Sequence, residues 1–216
     1  MSLQLKVFVL PHPLIQHWLT VARDKSTPFP LFRTAIQELS RWLTYEAIRD
    51  WLPTQTVEVE TPLAFTTGKI IQSQAPLAIV PILRAGLTMV EPCQSLVPAA
   101  RVYHVGMVRD EATLLPSCYL DRLPSSIGST TRFLILEPML ATGGTITQVM
   151  QMLTERGADP QLIRLVSIIC APPALQKLSS LYPSLQIFAA AIDEVVNDQG
   201  FIVPGLGDAG DRAFGT

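Results

Sequence analysis

The chain has 216 residues, of which 48% are hydrophobic and 16% are charged, and its formal net charge is −2. This composition excludes a largely disordered chain, and the balanced charge without a lysine or arginine run argues against a broad nucleic-acid-binding face. The three cysteines form no CxxC pair, and no apolar run approaches the ~20 residues of a membrane span. We therefore expect a cytoplasmic protein, with neither a membrane nor a nucleic acid as partner, that folds as one domain over residues 1–216.

The first 55 residues carry helical patterns. Apolar residues recur at three- and four-residue spacing over residues 13–23 and 32–51, and a loop with two prolines separates the two segments. Residues 57–61 alternate between apolar and polar, which predicts a short strand. We expect an N-terminal helical segment over residues 1–55.

From residue 76 onward, apolar strand candidates alternate with helical patterns. The strand candidates are residues 77–83, 102–108, 133–136, 163–169 and 187–192. The helical patterns lie near residues 88–96, 145–155 and 173–181. This alternation predicts an α/β fold in which a mostly parallel sheet is flanked by helices. Ligands of such sheets bind beyond the carboxyl ends of the strands, so the residues that follow each strand are the candidates for a site.

Residues 110–126 interrupt this alternation. The segment is largely polar and contains Pro116 and Pro124. Prolines and polar residues disfavour a central strand or a helix. We expect an excursion from the sheet here, as a hairpin arm or a lid.

Two arginines stand at the ends of strand candidates. Arg84 follows the run that ends at Leu83, and Arg109 follows the run that ends at Val108. A guanidinium group in this position is suited to bind phosphate oxygens through its planar fork. The alternative is a surface ion pair, which is common for an arginine at a strand end.

The stretch from Arg132 to Thr145, RFLILEPMLATGGT, carries the strongest functional signal. A strand is followed by the acid Glu137, by a turn of small residues and by a helical pattern. Helix N-termini present unpaired N–H groups, and glycines let an anion approach them, so the stretch predicts a site for a phosphate monoester beside sugar hydroxyls. The alternatives are a turn that only packs tightly and a solvated carboxylate. The absence of GxxxxGK[ST] disfavours an NTP-hydrolysing P-loop.

The C-terminal residues 200–216 contain five glycines among large apolar residues. Residues 205–210 match GxGxxG, but a proline precedes them and no helical pattern follows, which excludes a dinucleotide motif. An ordered loop with exposed backbone amides is suited to bind a flat polar base through main-chain hydrogen bonds. The alternative is a frayed terminus.

Six segments together resemble the uracil phosphoribosyltransferase family over nearly the whole chain. They are HPL at 12–14, LTYEA at 43–47, VPILRAG at 80–86, RDE at 109–111, PMLATGG at 138–144 and IVPGLGDAGD at 202–211. The resemblance implies transfer of the 5-phosphoribosyl group from 5-phosphoribosyl-1-pyrophosphate (PRPP) to uracil, which yields UMP and pyrophosphate in pyrimidine salvage. It also implies a type I phosphoribosyltransferase fold with a β-hairpin arm, expected near residues 110–126, and a C-terminal base-binding hood, expected near residues 193–216.

By position, the resemblance implies a site divided between the donor and the base. Arg84 and Asp208 are the expected catalytic residues, and Arg84 and Arg109 are expected to contact pyrophosphate. The full set expected to bind PRPP is Arg84, Arg109, Glu137, Pro138, Met139, Leu140, Ala141, Thr142, Gly143, Gly144, Thr145 and Asp208, with residues 141–145 at the 5′-phosphate. The residues expected to bind uracil are Ile202, Gly207, Asp208 and Ala209.

The resemblance also implies a cofactor and further partners. Mg²⁺ is expected to be bound through PRPP and water, with no direct protein ligand, and the three histidines show no metal-ligand spacing. A homodimer or a higher homo-oligomer is expected. Some members respond to GTP, and no GTP site is readable in the sequence.

Four positions depart from the family pattern. Thr88 replaces a glycine, Glu137 an aspartate, Thr145 a serine and Phe201 a tyrosine. Glu137 carries its carboxylate one methylene further from the backbone, and Phe201 lacks a hydroxyl beside the base, so both bear on the ribose and base contacts. Two alternatives to the uracil enzyme are an enzyme for another nucleobase and a non-catalytic regulator that binds UMP or RNA. The arginines and Asp208 favour the enzyme.

Overall fold

The computed structural model describes residues 4–72, 76–109 and 116–216. Its strands, in chain order, are β1 (Lys6–Val9), β2 (Thr54–Glu60), β3 (Phe65–Ile71), β4 (Leu77–Leu83), β5 (Arg101–Val102), β6 (Val105–Arg109), β7 (Pro116–Asp121), β8 (Arg132–Leu136), β9 (Met139–Leu140), β10 (Ile163–Cys170), β11 (Gln186–Ile192), β12 (Val195–Val196) and β13 (Ile202–Val203). Its helices are α1 (Pro13–Arg23), α2 (Phe29–Ile48), α3 (Val90–Leu96), α4 (Gly144–Glu155), α5 (Pro172–Leu181) and α6 (Ala209–Phe214), with short 3-10 helices at Ala85–Met89 and Pro160–Leu162.

The central sheet has the strand order β1-β11-β10-β8-β4-β6-β7, with β5 beside β4 and β9 beside β10. Its strands pair in parallel except for β6 and β7, which are antiparallel, so the predicted mostly parallel sheet is confirmed. Pro81 of β4 pairs with Leu136 of β8. The residues that follow these two strands therefore lie at the same edge of the sheet, where α/β proteins bind ligands.

Both faces of the sheet are buried under helices. Leu134 and Leu136 of β8 belong to a core with α1, α2, α3 and α6, while Phe133 and Ile135 belong to a core with α4 and α5. Alternate residues of a strand point to opposite faces, which explains why these strands read as continuous apolar runs. The predicted apolar face of α4 is confirmed, because Ile146, Val149, Met150 and Leu153 are all buried.

The N-terminal region contains a strand that sequence reasoning missed. β1 pairs in parallel with β11, and Lys6 lies opposite Gln186. Helix α1 has the predicted bounds. Helix α2 begins at Phe29, earlier than its apolar pattern indicates, because Pro30 lies in the first turn, where no intrahelical N–H donor is needed.

The hairpins differ from the sequence prediction. β2 and β3 form a separate two-stranded antiparallel sheet, where only one short strand was expected. An excursion from the sheet was expected near 110–126. In the structure, Pro116–Asp121 of this segment forms β7, the edge strand of the central sheet, which pairs with β6 and in which half-buried residues alternate with exposed ones. Residues 110–115 lie outside the described part. Within the described ranges, no helix has the combined length and apolar character required to cross a membrane.

Candidate active site

A cavity of about 810 Å³ lies at the carboxyl edge of the sheet. One wall is formed by the β8–α4 connection and the other by the C-terminal hood. The lining residues are Ala85, Glu137, Met139, Leu140, Ala141, Gly143, Gly144, Thr145, Ile146, Asp198, Gln199, Gly200, Phe201, Ile202, Gly207, Asp208, Ala209 and Gly210. The small-residue turn and the glycine-rich tail, which are far apart in sequence, thus face the same cavity.

The turn before α4 is built around Gly143. This residue has φ of 77°, in the left-handed region, and caps the helix. A Cβ on Gly143 would also lie 3.0 Å from Ala174 Cα of α5. Both the φ angle and this close contact therefore favour glycine at position 143. Gly144 and Thr145, in the first turn of α4, line the cavity. The first N–H groups of a helix lack intrahelical partners, and this end of the cavity is therefore suited to an anion.

The residues between β8 and the turn divide between the cavity and the sheet. Glu137 is half-buried and lines the cavity, and its N–H donates to the Val166 carbonyl at 3.1 Å. Pro138 instead faces β10, where its buried carbonyl accepts from the Ile168 N–H at 2.9 Å. Neither Pro138 nor Thr142 is among the lining residues. Both predicted residues help to shape the turn.

The turn between β12 and β13 contributes three residues that sequence reasoning did not select, Asp198, Gln199 and Gly200, next to Phe201, which was expected near the base. Asn197 Oδ1 accepts from the N–H groups of Gln199 at 3.1 Å and Phe201 at 2.9 Å. This turn presents Asp198 through Phe201 to the cavity. The signal for it was the run Asn-Asp-Gln-Gly at residues 197–200, which is typical of a tight turn.

Asp208 begins a short helix that the sequence prediction excluded. Its Oδ1 accepts from the Asp211 N–H at 2.9 Å, which caps α6. The helix ends at Gly215, where φ is 71°. An aspartate cap stabilises a helix by ~1 kcal/mol and offsets the weak propensity of this glycine-containing segment. Asp208 and Ala209 are thereby fixed on the cavity wall.

The hood is anchored to α1 by a buried carboxylate. Both terminal nitrogens of Arg23 donate to Asp193 at 2.7 Å, and Nη1 also donates to the Gly205 carbonyl at 2.8 Å. The Gly205 N–H donates to Asp193 Oδ2 at 2.8 Å. Gly205 has φ of +55°, and a Cβ there would lie 2.1 Å from the Ile202 carbonyl oxygen. The chain can follow this path only with glycine at position 205.

A second anchor is Arg212 of α6. Its Nη1 donates to the carbonyls of Ala22 at 2.5 Å and Leu206 at 2.8 Å, and its Nη2 donates to the Asp24 carbonyl at 2.6 Å. The guanidinium lies 4.2 Å from the ring centre of Phe32, a cation–π contact with α2. The base of the hood is therefore held by α1 and α2.

Asp193 provides a test of the first anchor. Burial raises the pKa of this carboxyl, but the hydrogen bonds from Arg23 and the Gly205 N–H outweigh burial, and the pKa lies below its ordinary value of 3.8. The contribution of Asp193 to stability is thus fully present above pH 3.8 and is lost as the pH falls through the lower folded pKa. Asp193→Asn is expected to lower Tm by about 2–4 °C near neutral pH, the shift for ~1 kcal/mol once solvent screening is allowed for.

The same substitution is expected to make stability less dependent on pH in acid. Urea unfolding of both proteins between about pH 5 and about pH 2 measures this, since the slope reports the difference in bound protons. Parallel curves for Asp193→Asn and the unmodified chain would contradict the assignment.

Arg84 lies at the margin of the cavity. Its side chain is exposed, and its Nη2 is 2.5 Å from Asp211 Oδ1. A Cβ on the lining residue Gly210 would lie 3.8 Å from this nitrogen and 3.2 Å from Asp208 Oδ1. The structure thus brings the guanidinium of Arg84 close to Asp208. Arg109 is the last residue of β6, and its side chain lies outside the described part.

The chemistry of the lining residues bears on metal binding. Among residues 4–72, 76–109 and 116–216, no group of three or more histidine, cysteine, aspartate or glutamate residues is placed to hold a metal ion. Glu137, Asp198 and Asp208 give the cavity carboxylate oxygens, which suit Mg²⁺ that keeps most of its ligands from water and substrate. Burial raises the pKa of the Cys93 and Cys170 thiols to about 12, so neither is a thiolate.

Comparisons with known proteins agree with this geometry. The family model described as uracil phosphoribosyltransferase matches residues 9–216. The chain is 60% identical to the uracil phosphoribosyltransferase of Nostoc sp., with 100% of both chains covered. It is 51% identical to the protein of the same name from Nicotiana tabacum, over 97% of this chain and 94% of that relative.

Solved structures give the same result. The AQ2163 protein from Aquifex aeolicus matches with a TM-score of 0.87 and 36% identity, over 96% of this chain and 97% of that one. Adenine phosphoribosyltransferase from Leishmania donovani shares the fold alone, with a TM-score of 0.55 and 15% identity over 89% of this chain and 85% of that one. The type I phosphoribosyltransferase fold is thereby confirmed, and the chain belongs to the uracil phosphoribosyltransferase family.

Proposed function

We propose that the chain transfers the 5-phosphoribosyl group of PRPP to uracil and forms UMP and pyrophosphate, a reaction of pyrimidine salvage. One observation carries the proposal within this family. The glycine turn before α4 and the glycine-rich hood face each other across one cavity of about 810 Å³, so a phosphosugar and a base fit side by side. A site that binds only a phosphate group would not need the glycine-rich hood as a second wall.

The two walls divide the substrates between them. Backbone N–H groups of residues 141–145 bind the 5′-phosphate, which a helix N-terminus favours electrostatically. Glu137, with Met139 and Leu140, lies along the ribose, while Pro138 and Thr142 shape the turn. Ile202, Gly207 and Ala209 bind uracil through their backbone, and Asp208 lies between the base and the phosphosugar.

The reaction exchanges one bond at the anomeric carbon of the ribose for another. The bond from C1 to the pyrophosphate oxygen breaks, N1 of uracil bonds to C1, and the proton of N1 is released. Positive charge builds on the ribose and negative charge on the departing pyrophosphate, where Arg84 and Arg109 stabilise it. Once N1 of uracil is aligned with C1 of the ribose, this alignment contributes more to the rate than a strong base would. The hood excludes water that would otherwise hydrolyse the donor.

Charge neutralisation of PRPP by Mg²⁺, bound through substrate oxygens and water, completes the proposed chemistry. Glu137, Asp198 and Asp208 are the lining carboxylates suited to accept hydrogen bonds from such waters. The proposed compartment is the cytoplasm, because Cys93, Cys118 and Cys170 are all free thiols.

A pyrophosphate-release assay tests the function. With Mg²⁺ and PRPP, we expect UMP and pyrophosphate from uracil, and no product from hypoxanthine, adenine or guanine. Running each reaction with and without GTP tests the proposal that GTP is an effector. RNA binding with a steep salt dependence, without pyrophosphate release, would instead favour a regulator.

We further propose that the hairpin of β2 and β3 mediates assembly into a homodimer or higher homo-oligomer. An isolated two-stranded hairpin is at best marginally stable in water. This one exposes 97% of Leu63 and 65% of Phe65, and Ile70 and Ile71 are exposed as well. Several large apolar side chains exposed on one small hairpin are typical of an interface.

Phe65→Ser on this hairpin is expected to shift the protein toward the monomer. The reason is that removal of a large aromatic side chain weakens an apolar interface by ~2 kcal/mol or more. Sedimentation velocity at several protein concentrations measures the shift. Lys69→Ser on the same hairpin is the control and should assemble as the unmodified chain does. Equal assembly of both variants would place the interface elsewhere.

A further inference from the structure

We propose that Asp211 is a positioning residue for Arg84. On this proposal, which rests on the proposed function, the Asp211 carboxylate holds the Arg84 guanidinium at the cavity margin, with the remaining N–H groups directed at the pyrophosphate of PRPP. Asp211 therefore acts through Arg84 and contacts no substrate itself.

Asp211 connects three parts of the site. Its Oδ1 lies 2.5 Å from Arg84 Nη2 and also accepts from Thr216 Oγ1 at 3.3 Å. Its backbone N–H donates to Asp208 Oδ1 at 2.9 Å, and its carbonyl accepts from the Gly215 N–H at 2.7 Å. These backbone bonds fix Asp211 in α6, so its carboxylate is a rigid partner for a long and otherwise mobile arginine.

The position of Gly210 shows how close this pair is to the cavity. Gly210 lines the cavity, and a Cβ there would lie 3.2 Å from Asp208 Oδ1 and 3.8 Å from Arg84 Nη2. Arg84 Nη2 and Asp208 Oδ1 therefore both lie within 4 Å of the same point beside Gly210. A ligand beside Asp208 would be within reach of Arg84 without a large movement of the strand end.

The energetics favour a functional role for the pair over a stabilising one. The side chains of Arg84 and Asp211 are 56% and 48% exposed, and exposed ion pairs contribute only about 0–1 kcal/mol to stability. Immobilising a flexible side chain on binding costs about 0.5–1.5 kcal/mol, which a partner already in place removes. Arginine has five N–H donors, so a carboxylate at Nη2 leaves the other donors for phosphate oxygens.

Kinetics with Asp211 variants test this role. Asp211→Ala is expected to lower kcat/KM for PRPP about tenfold (~1.4 kcal/mol), with the KM for uracil within about threefold. The kcat/KM of Asp211→Asn for PRPP is expected to lie between those of Asp211→Ala and the unmodified chain, because the amide oxygen of asparagine still accepts a hydrogen bond. Glu38→Gln, which removes one carboxylate from a half-buried ion pair with Arg41 on α2, is the control and should match the kinetics of the unmodified chain.

A double-mutant cycle separates positioning from a merely structural role. The readout is the affinity for inorganic pyrophosphate with Mg²⁺, measured by calorimetric titration. In the Arg84→Ala background, Asp211→Ala should have no further effect, because its partner is already gone. An equal loss in both backgrounds would overturn the proposal, as would a loss confined to uracil. This titration does not depend on turnover, so absent UMP synthesis would reject the proposed function without deciding the role of Asp211.

Discussion

Replacing Arg84 by alanine is expected to lower kcat/KM for PRPP by about a hundredfold (~2.7 kcal/mol), the usual loss when one donor to a developing anion is removed. The guanidinium lies at the cavity margin near Gly210, and in the proposed mechanism the leaving pyrophosphate gathers charge beside it. Steady-state kinetics with varied PRPP and saturating uracil measure the effect. A fall smaller than about tenfold would remove Arg84 from the proposed mechanism.

The control for Arg84 is another exposed arginine in an ion pair. Arg49 pairs with Glu46 at the end of α2, and its side chain is 69% exposed. Arg49→Ala should keep the kinetics of the unmodified chain, since it removes the same charge away from the cavity. Both variants should unfold at nearly the same temperature as the unmodified chain, because exposed pairs add little stability.

Gly205→Ala is expected to disable the base half of the site and leave the phosphate half intact. An added Cβ would lie 2.1 Å from the Ile202 carbonyl oxygen, and the left-handed φ of +55° further disfavours alanine. The backbone must therefore move, which breaks the bonds of Gly205 to Arg23 and Asp193. We expect kcat/KM for uracil to fall at least about thirtyfold (~2 kcal/mol), while Mg²⁺-pyrophosphate affinity stays within about twofold.

Gly128→Ala is the matched control for this substitution. A Cβ at Gly128 would meet only Thr131 Oγ1, at an ordinary 3.6 Å. Kinetics with varied uracil and calorimetry with Mg²⁺-pyrophosphate report the two halves separately. Equal damage to both halves in Gly205→Ala would mean that the hood and the phosphate turn form one cooperative unit.

The buried elements were the most predictable from sequence. Strand β4 has the predicted bounds, because residues covered on both faces give an uninterrupted apolar run. β1 was missed because it is short, mostly exposed and at the edge of the described sheet beside β11, so neither length nor periodicity marks it. β3 was missed for a similar reason, since it pairs with β2 in a separate two-stranded sheet and its residues are exposed or half-buried.

The site was predictable where the backbone itself imposes a residue type. Gly143 has a left-handed φ, and several glycines of the C-terminal tail have one as well. The glycines in the sequence therefore indicate both walls of the cavity. The partnership of Arg84 with Asp211 was not predictable, because local patterns carry no information about which distant charges meet. The same holds for Arg23 with Asp193, which joins α1 to the hood across most of the chain.

The position of β1 beside β11 has a consequence for the order in which contacts form as the chain is synthesised. Lys6 pairs with Gln186, and Arg23 binds Asp193, so the first strand and the first helix can find these partners only after residues 186 and 193 have been synthesised. Until then, the apolar side chains of β1 and α1 that face these partners are exposed to water. Contacts of such high sequence separation also form slowly. The contact that anchors the hood to α1 therefore forms only after the glycine turn before α4 has already been synthesised.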